Sequence, residues 1–349
     1  MLAIVVGHLF GQGRVTAHVP ASVWLPSLML ANGARLAVGL FALLGCWFLV
    51  EEPDFRPGRW LRIHATVLSY TVPLTAVAAV AWGGVDAWTF ARAFLPVLGR
   101  PLWFASAWLT LLALSPVLHS AAFSCTRRGL CLAAAALLAA ISVPATFAGT
   151  LADDYFSDLL WFVFLYLFVA WLKRGAEEPF KKIPRLGALA AGLAIYAAPV
   201  LVEWAVLLAT GPCRDAPAAY KLAQRALSDF KSLPMFVSSL CLFAFFAKTD
   251  IGSRRWINFL ARPAFAVYVA HQTPAFWPHL WRDVFRCREW YGHRSAPLVA
   301  LGCAVAVYAA VAAVETARLA LVSRGVRLVL RRRKNCSARH PAIPVHDCR

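Results

Sequence analysis

Long apolar runs separated by short polar joints fill the chain from end to end. They lie near 1–10, 28–50, 61–82, 102–120, 130–148, 159–172, 186–209, 233–247, 259–280 and 297–322. Most approach the roughly 20 apolar residues that a helix needs to cross a bilayer. Pro53, Gly99, Pro179, Gly211 and Gly252 punctuate the joints. In hydrocarbon every backbone N–H and C=O must be satisfied within its own segment, so runs of this length read as helices. The pattern predicts an all-α, polytopic transmembrane bundle of about ten helices over residues 1–322, with a basic, disordered tail over 323–349.

Two stretches depart from this rhythm. A helix from Met1 to Phe10 rises only about 15 Å, half of a hydrocarbon core of about 30 Å. Extending it to Ala17 brings in Gln12 and Arg14. A secretory signal would open on basic residues, and Met1-Leu2-Ala3 has none. The expectation is that Met1 lies within the first helix, whose opening residues lie upstream. Residues 212–232 are polar but carry helical spacing at Ala219, Leu222, Ala226, Leu227 and Phe230. They read either as a helix lying flat on the outer surface or as an external loop containing one helix.

Composition agrees with a membrane bundle. Of 349 residues, 60% are hydrophobic and only 15% charged, against roughly 25% charged in soluble domains. The net charge of +18 would suggest nucleic acid in a soluble protein, but here the basic residues sit between apolar runs and in the tail. With the N-terminus inside, 22 Lys and Arg fall on inner segments and 11 on outer ones. That bias predicts both termini in the cytoplasm of a multi-pass cell-membrane protein, and no nucleic-acid partner. Asp153, Asp154 and Asp158 fall outside, where acid is harmless. Cys46, Cys131, Cys241 and Cys303 lie in apolar runs and behave as small hydrophobes. No C-x-x-C pair is present, so no metal site of that type is indicated. Cys213 and Cys287, in outer loops, are the candidates for a pair.

Ionisable residues inside a membrane are expensive, so each is a candidate for function. His8, His271, Glu203 and Glu315 are the four. A histidine flanked by apolar residues is either a satisfied core residue or a proton carrier near neutral pH. His271 precedes Pro274, which frees a backbone carbonyl and favours an internal cavity; the alternative is a hydrogen bond to a neighbouring helix. Glu315 has Arg318 one turn later as a natural partner, and Glu203 is near an outer helix end and within reach of water.

Several short patterns occur in a fixed order. Ile4-Val5-Val6-Gly7-His8 is followed by Phe10 and Gly13, and then by Phe41 to Phe48 with Gly45, Cys46 and Trp47. Next come Leu95-Pro96, Trp103-Phe104, Leu112 and Ser115-Pro116, and last Ile257-Asn258 with Phe265, Tyr268 and His271. In this order they resemble acyltransferase family 3, the membrane enzymes that O-acylate sugars, over nearly the whole chain. The chain differs where the family has Ser-Gly and this sequence has Gly45-Cys46. The resemblance implies transfer of an acyl group, most simply acetyl, from cytoplasmic acyl-CoA to a carbohydrate on a lipid-linked or cell-envelope polysaccharide. Acetyl-CoA or another acyl-CoA is then a donor substrate, with no permanently bound cofactor and no metal. The residues carried over are His8 and His271 as catalytic, with Trp103 and Tyr268 at the substrate.

His8 would serve as general base on a sugar hydroxyl or relay its proton. A covalent acyl-histidine is the alternative. Arg56, Arg59 and Arg62, with Arg127-Arg128, lie on the side where the phosphates of Coenzyme A need positive charge, although the topology signal alone also accounts for them. A glycosyltransferase would place acids in the first external loop, and residues 11–27 contain none. No serine stands in the Gly-x-Ser-Gly setting of an intramembrane protease. A transporter or flippase of a glycan or lipid is the remaining alternative, without the repeated broken helices that would point to it.

Overall fold

A computed structural model describes residues 1–95, 97, 102–148, 155–176, 182–211, 218–250 and 252–339. Pro96, Gly99, Arg100, Asp153, Asp154, Pro179, Lys181, Cys213, Arg214 and residues 340–349 lie outside them. The described residues are 82% helical and include no strand. Its helices are α1 (Leu2–Gln12), α2 (Trp24–Leu49), α3 (Pro57–Ala81), α4 (Ala87–Ala93), α5 (Trp103–Ser124), α6 (Arg127–Ala148), α7 (Tyr155–Trp171) and α8 (Arg185–Thr210). They continue as α9 (Ala218–Ser228), α10 (Leu233–Ala247), α11 (Arg255–Ala261), α12 (Ala264–Gln272), α13 (Trp277–His279), α14 (Cys287–Trp290) and α15 (Ala296–Arg339).

Seven helical stretches are long and apolar enough to span a membrane among the described residues. They are Ala21–Leu49, Pro57–Ala81, Trp103–Ser124, Arg127–Phe147, Arg185–Thr210, Ala218–Ala247 and Ala296–Arg324. Helices α1 and α7 are shorter, at 11 and 17 residues. The run at 259–280, expected as one span, is instead broken into α11, α12 and α13. Two prolines explain the breaks. Pro263 starts α12, and Thr273, just before Pro274, takes the extended ψ of 119° that a following proline favours. Apolar content alone does not register either break. Residues 218–228 are helical as their spacing suggested, but α9 packs on α8, α6 and α10. At the far end α15 stays helical to Arg339, well past Val322, where the disordered tail was expected to begin.

Helix α2 is the hub and packs against α1, α7, α8, α10 and α15. Its contact with α1 is close because both helices present small residues there, the usual basis of tight packing in membranes. A Cβ placed on Gly7 would sit 2.2 Å from Ala34 Cβ and 2.7 Å from the Ala31 carbonyl oxygen. Neither atom can yield without moving a backbone. Gly7→Ala is therefore expected to push α1 off α2 and displace the adjacent His8. In the catalytic role that the resemblance implies for His8, acyl transfer should fall by about tenfold or more, since small misplacement of such a group is costly, while the protein still reaches the membrane. A quantitative transfer assay on matched amounts of inserted protein checks this, and wild-type rates would contradict it. Gly45 is needed for a similar reason: a Cβ there would meet the Trp108 ring at 2.5 Å.

The buried polar residues are paired in ways their sequence positions did not announce. Asp158, expected on the outer side, is 6% exposed and receives a hydrogen bond from Lys231 Nζ at 3.0 Å. Lys231 is itself fully buried and also donates to Ser157 at 3.0 Å. Glu203 does not reach water. It is 0% exposed, accepts from Asn32 Nδ2 at 3.0 Å and accepts from the Ser228 hydroxyl. Glu315 pairs with Arg318 as its spacing suggested, through two bonds of 2.7 Å, and also accepts from Tyr70 of α3 at 2.8 Å. That last bond ties α15 to α3.

Candidate active site

His8 lies two-thirds of the way along α1, flanked by the fully buried Val6 and Leu9. Its side chain meets α12, which the proline breaks on both sides have reduced to a nine-residue helix. There His271, 1% exposed, points its ring at His8. The distance from His8 Nδ1 to His271 Nε2 is 2.9 Å, across 263 residues of sequence. Of the two readings of His271, the bond to a neighbouring helix is the one present.

The direction of this bond follows from a third group. His271 Nδ1 lies 2.5 Å from the carbonyl oxygen of Val267, one turn earlier in the same helix. A carbonyl can only accept, so His271 Nδ1 carries a hydrogen. In the neutral ring Nε2 then holds a lone pair, and it is His8 Nδ1 that donates to it. Neutral His8 is thereby fixed as the tautomer with its hydrogen on Nδ1, which leaves a basic lone pair on Nε2. This is the logic by which an outer partner selects the tautomer of a working histidine. The arrangement can take a proton from a hydroxyl and, as positive charge develops on His8, share it with a second ring.

A polar cluster continues from the pair. Gln12, one turn beyond His8 on α1, donates to Gln272 Oε1 at 3.0 Å, and Trp281 Nε1 donates to Gln12 Oε1 at 2.9 Å. Neither glutamine nor Trp281 stood out in the sequence. The available signal was spacing: Gln12 follows His8 by four residues, on the same face of the helix.

Tyr268 is three residues before His271 and shares its face of α12. Its hydroxyl accepts the backbone N–H of Phe104 at 3.2 Å, which satisfies one of the free amides at the start of α5. Tyr268 therefore joins α12 to α5. Trp103, the neighbouring residue, stacks on Phe230 with ring centroids 4.9 Å apart. The three arginines are placed elsewhere. Met1 borders the same groove as Leu44, Trp47 and Phe48, while Gly7 lies against Ala34. Helices α1 and α2 thus run antiparallel, and the end of α2 lies about 22 Å from the level of His8 at 1.5 Å per residue. Arg56, Arg59 and Arg62 follow that end and border a surface cavity of about 560 Å³ with Glu52 and Phe55. Glu52 engages Arg59 at 2.6 Å and Arg56 at 3.6 Å. Arg62 has no carboxylate partner among the described residues.

A family model described as an acyltransferase domain matches residues 1–315. The chain belongs to acyltransferase family 3. It is a multi-pass membrane acyltransferase that transfers groups other than amino-acyl groups. No curated protein and no solved structure matches the sequence. The family match spans both His8 and His271, and so includes the two segments that the fold brings together.

Proposed function

We propose that this acyltransferase moves an acyl group, most simply acetyl, from cytoplasmic acyl-CoA to a hydroxyl of a carbohydrate on the opposite side of the membrane. The observation that carries the reading is the chain from the Val267 carbonyl through His271 to His8, which leaves Nε2 of His8 free to act as a base. In the reaction the acceptor oxygen attacks the thioester carbonyl and gives its proton to His8 Nε2. A C–O bond forms, the C–S bond breaks, and the departing thiolate recovers the proton from His8. His271 positions the ring and spreads its developing charge.

Both termini lie in the cytoplasm in this reading, in line with the basic residues of the inner joints. The donor's phosphates then approach Arg56, Arg59 and Arg62. Arg62 is the freest of the three, because Glu52 occupies its neighbours. Tyr268 acts by holding α12 against α5, and Trp103 offers its aromatic surface beside that junction. His8 sits well away from the arginine end, so the acyl group is carried to it on the long pantetheine arm while the nucleotide stays outside.

The test is reconstitution in vesicles, with labelled acetyl-CoA supplied on one face only. Label should pass into an alkali-labile ester on an oligosaccharide supplied on the other face. Arg62→Gln should raise KM for acetyl-CoA about tenfold, the worth of one charge-assisted contact to phosphate, with kcat little changed. Oligosaccharide crossing the membrane with no thioester turnover would instead favour a transporter.

A further inference from the structure

We infer that the cavity at the Gln12 end of α1 is the acceptor vestibule and that it selects a carbohydrate carrying negative charge, as a carboxylate or a phosphate on the sugar. This rests on the acceptor-side reading above. The cavity has a volume of about 480 Å³, and Gln12 and Trp281, which hydrogen-bond each other beside the histidine pair, both line it. At 1.5 Å per residue Gln12 is about 6 Å along α1 from His8. A sugar held there is one helical turn from the base.

The charge of the lining is one-sided. Arg14, His18, Arg282 and Arg288 border the cavity and no carboxylate does. Arg282 is already committed: it forms bonds of 2.8 and 2.9 Å to Asp283, which also takes a 2.6 Å contact from His279. Those bonds, that from Arg282 first, hold the Asp283 carboxyl down to about 2, so it stays an anion and cancels the charge of Arg282. Arg14 and Arg288 have no such partner among the described residues, and both are exposed. On the outer side of a membrane, arginines run against the usual charge bias and serve no topological purpose. A planar guanidinium is suited to carboxylate and phosphate.

The geometry is built as well as charged. Arg14 has a left-handed backbone, φ 56°, which few non-glycine residues adopt. Beside it, His18 donates Nδ1–H to the Arg14 carbonyl at 2.8 Å. The His18 ring also stacks on Tyr291 with centroids 4.1 Å apart. With Nδ1 occupied, neutral His18 presents Nε2 as an acceptor for a sugar hydroxyl. Tyr291 and Trp277, both half-buried in the cavity lining, supply flat apolar faces for the C–H side of a pyranose ring. Polar edges, aromatic faces and uncompensated cations thus converge on one cavity, as a site for a charged sugar requires.

Binding to the full chain in nanodiscs of neutral lipid tests the inference by calorimetry. The probes are a galacturonate oligosaccharide against its methyl ester, glucose 6-phosphate against glucose, and glycerol phosphate as the headgroup of an anionic lipid. At least one charged sugar should bind about tenfold more tightly than its neutral form, the scale of one charge-assisted hydrogen bond. Arg14→Gln and Arg288→Gln should each erase that preference, and Arg288→Lys should restore part of it. No preference for charge, or a preference that survives both glutamine variants, would overturn the inference. So would equal binding of glycerol phosphate, which would make the cavity a lipid-headgroup site. His8→Ala leaves this binding intact and is read separately in acyl transfer, so the vestibule and the reaction stand or fall on different measurements.

Discussion

His8→Ala is expected to lower acyl transfer by about 10²- to 10⁴-fold, the usual contribution of a positioned general base, with normal insertion and normal donor binding. The ring is replaced by a methyl group on a helix that remains packed by Val5, Val6, Leu9 and Phe10, so α1 has no reason to move. The companion variant separates base from orienting partner. His271→Ala removes the acceptor of the 2.9 Å bond and frees the His8 ring to turn or to change tautomer. It should lower kcat by a smaller factor and leave KM for acetyl-CoA in place. His271→Gln keeps an acceptor near that position and should recover part of the loss. Steady-state transfer and the pH dependence of kcat, measured on all three variants, decide the roles. A His8→Ala protein that retains transfer within a few-fold of wild type would move the base elsewhere.

The largest expected effect on stability lies at Lys231. Its ammonium is fully buried and contacts Asp158 and Ser157 at 3.0 Å. Removing one partner of such a pair leaves the other buried charge without its counter-ion, at a cost of about 3–5 kcal/mol. Lys231→Met should therefore lower the unfolding temperature in detergent sharply. Replacing both partners, Lys231→Met with Asp158→Leu, should restore most of the loss, because two well-packed apolar side chains leave no charge behind. A single variant as stable as wild type would show that water or another group compensates Asp158. Activity of the double variant then asks whether the pair serves anything beyond holding α7 against the start of α10.

Much of this architecture is legible in the residue pattern, and the failures have physical causes. Apolar runs of about 20 residues mark α2, α3, α5, α6 and α8 because lipid imposes both their length and their composition. The same count misreads 259–280, where Pro263 and Pro274 break the helix without lowering its hydrophobicity. His8 and His271 stand out because polar residues are rare in such runs. Their contact does not, since nothing local relates two positions 263 residues apart. The partner of Asp158 is not legible, because a carboxylate at a helix end looks solvated and Lys231 sits 73 residues away. Gln12 shows an intermediate case, readable only once the face of α1 that carries His8 is taken as the working one.

The two histidines lie 263 residues apart in the polypeptide, and this has a consequence for how the enzyme is made. Translation delivers His8 first and His271 only after most of the membrane helices have been synthesised. Until α12 docks, the His8 imidazole has no neighbour to choose its tautomer. A nascent or prematurely terminated chain ending before residue 264 therefore carries the His8 imidazole without the element that orients it. An oriented His8 ring therefore exists only after α12 has docked.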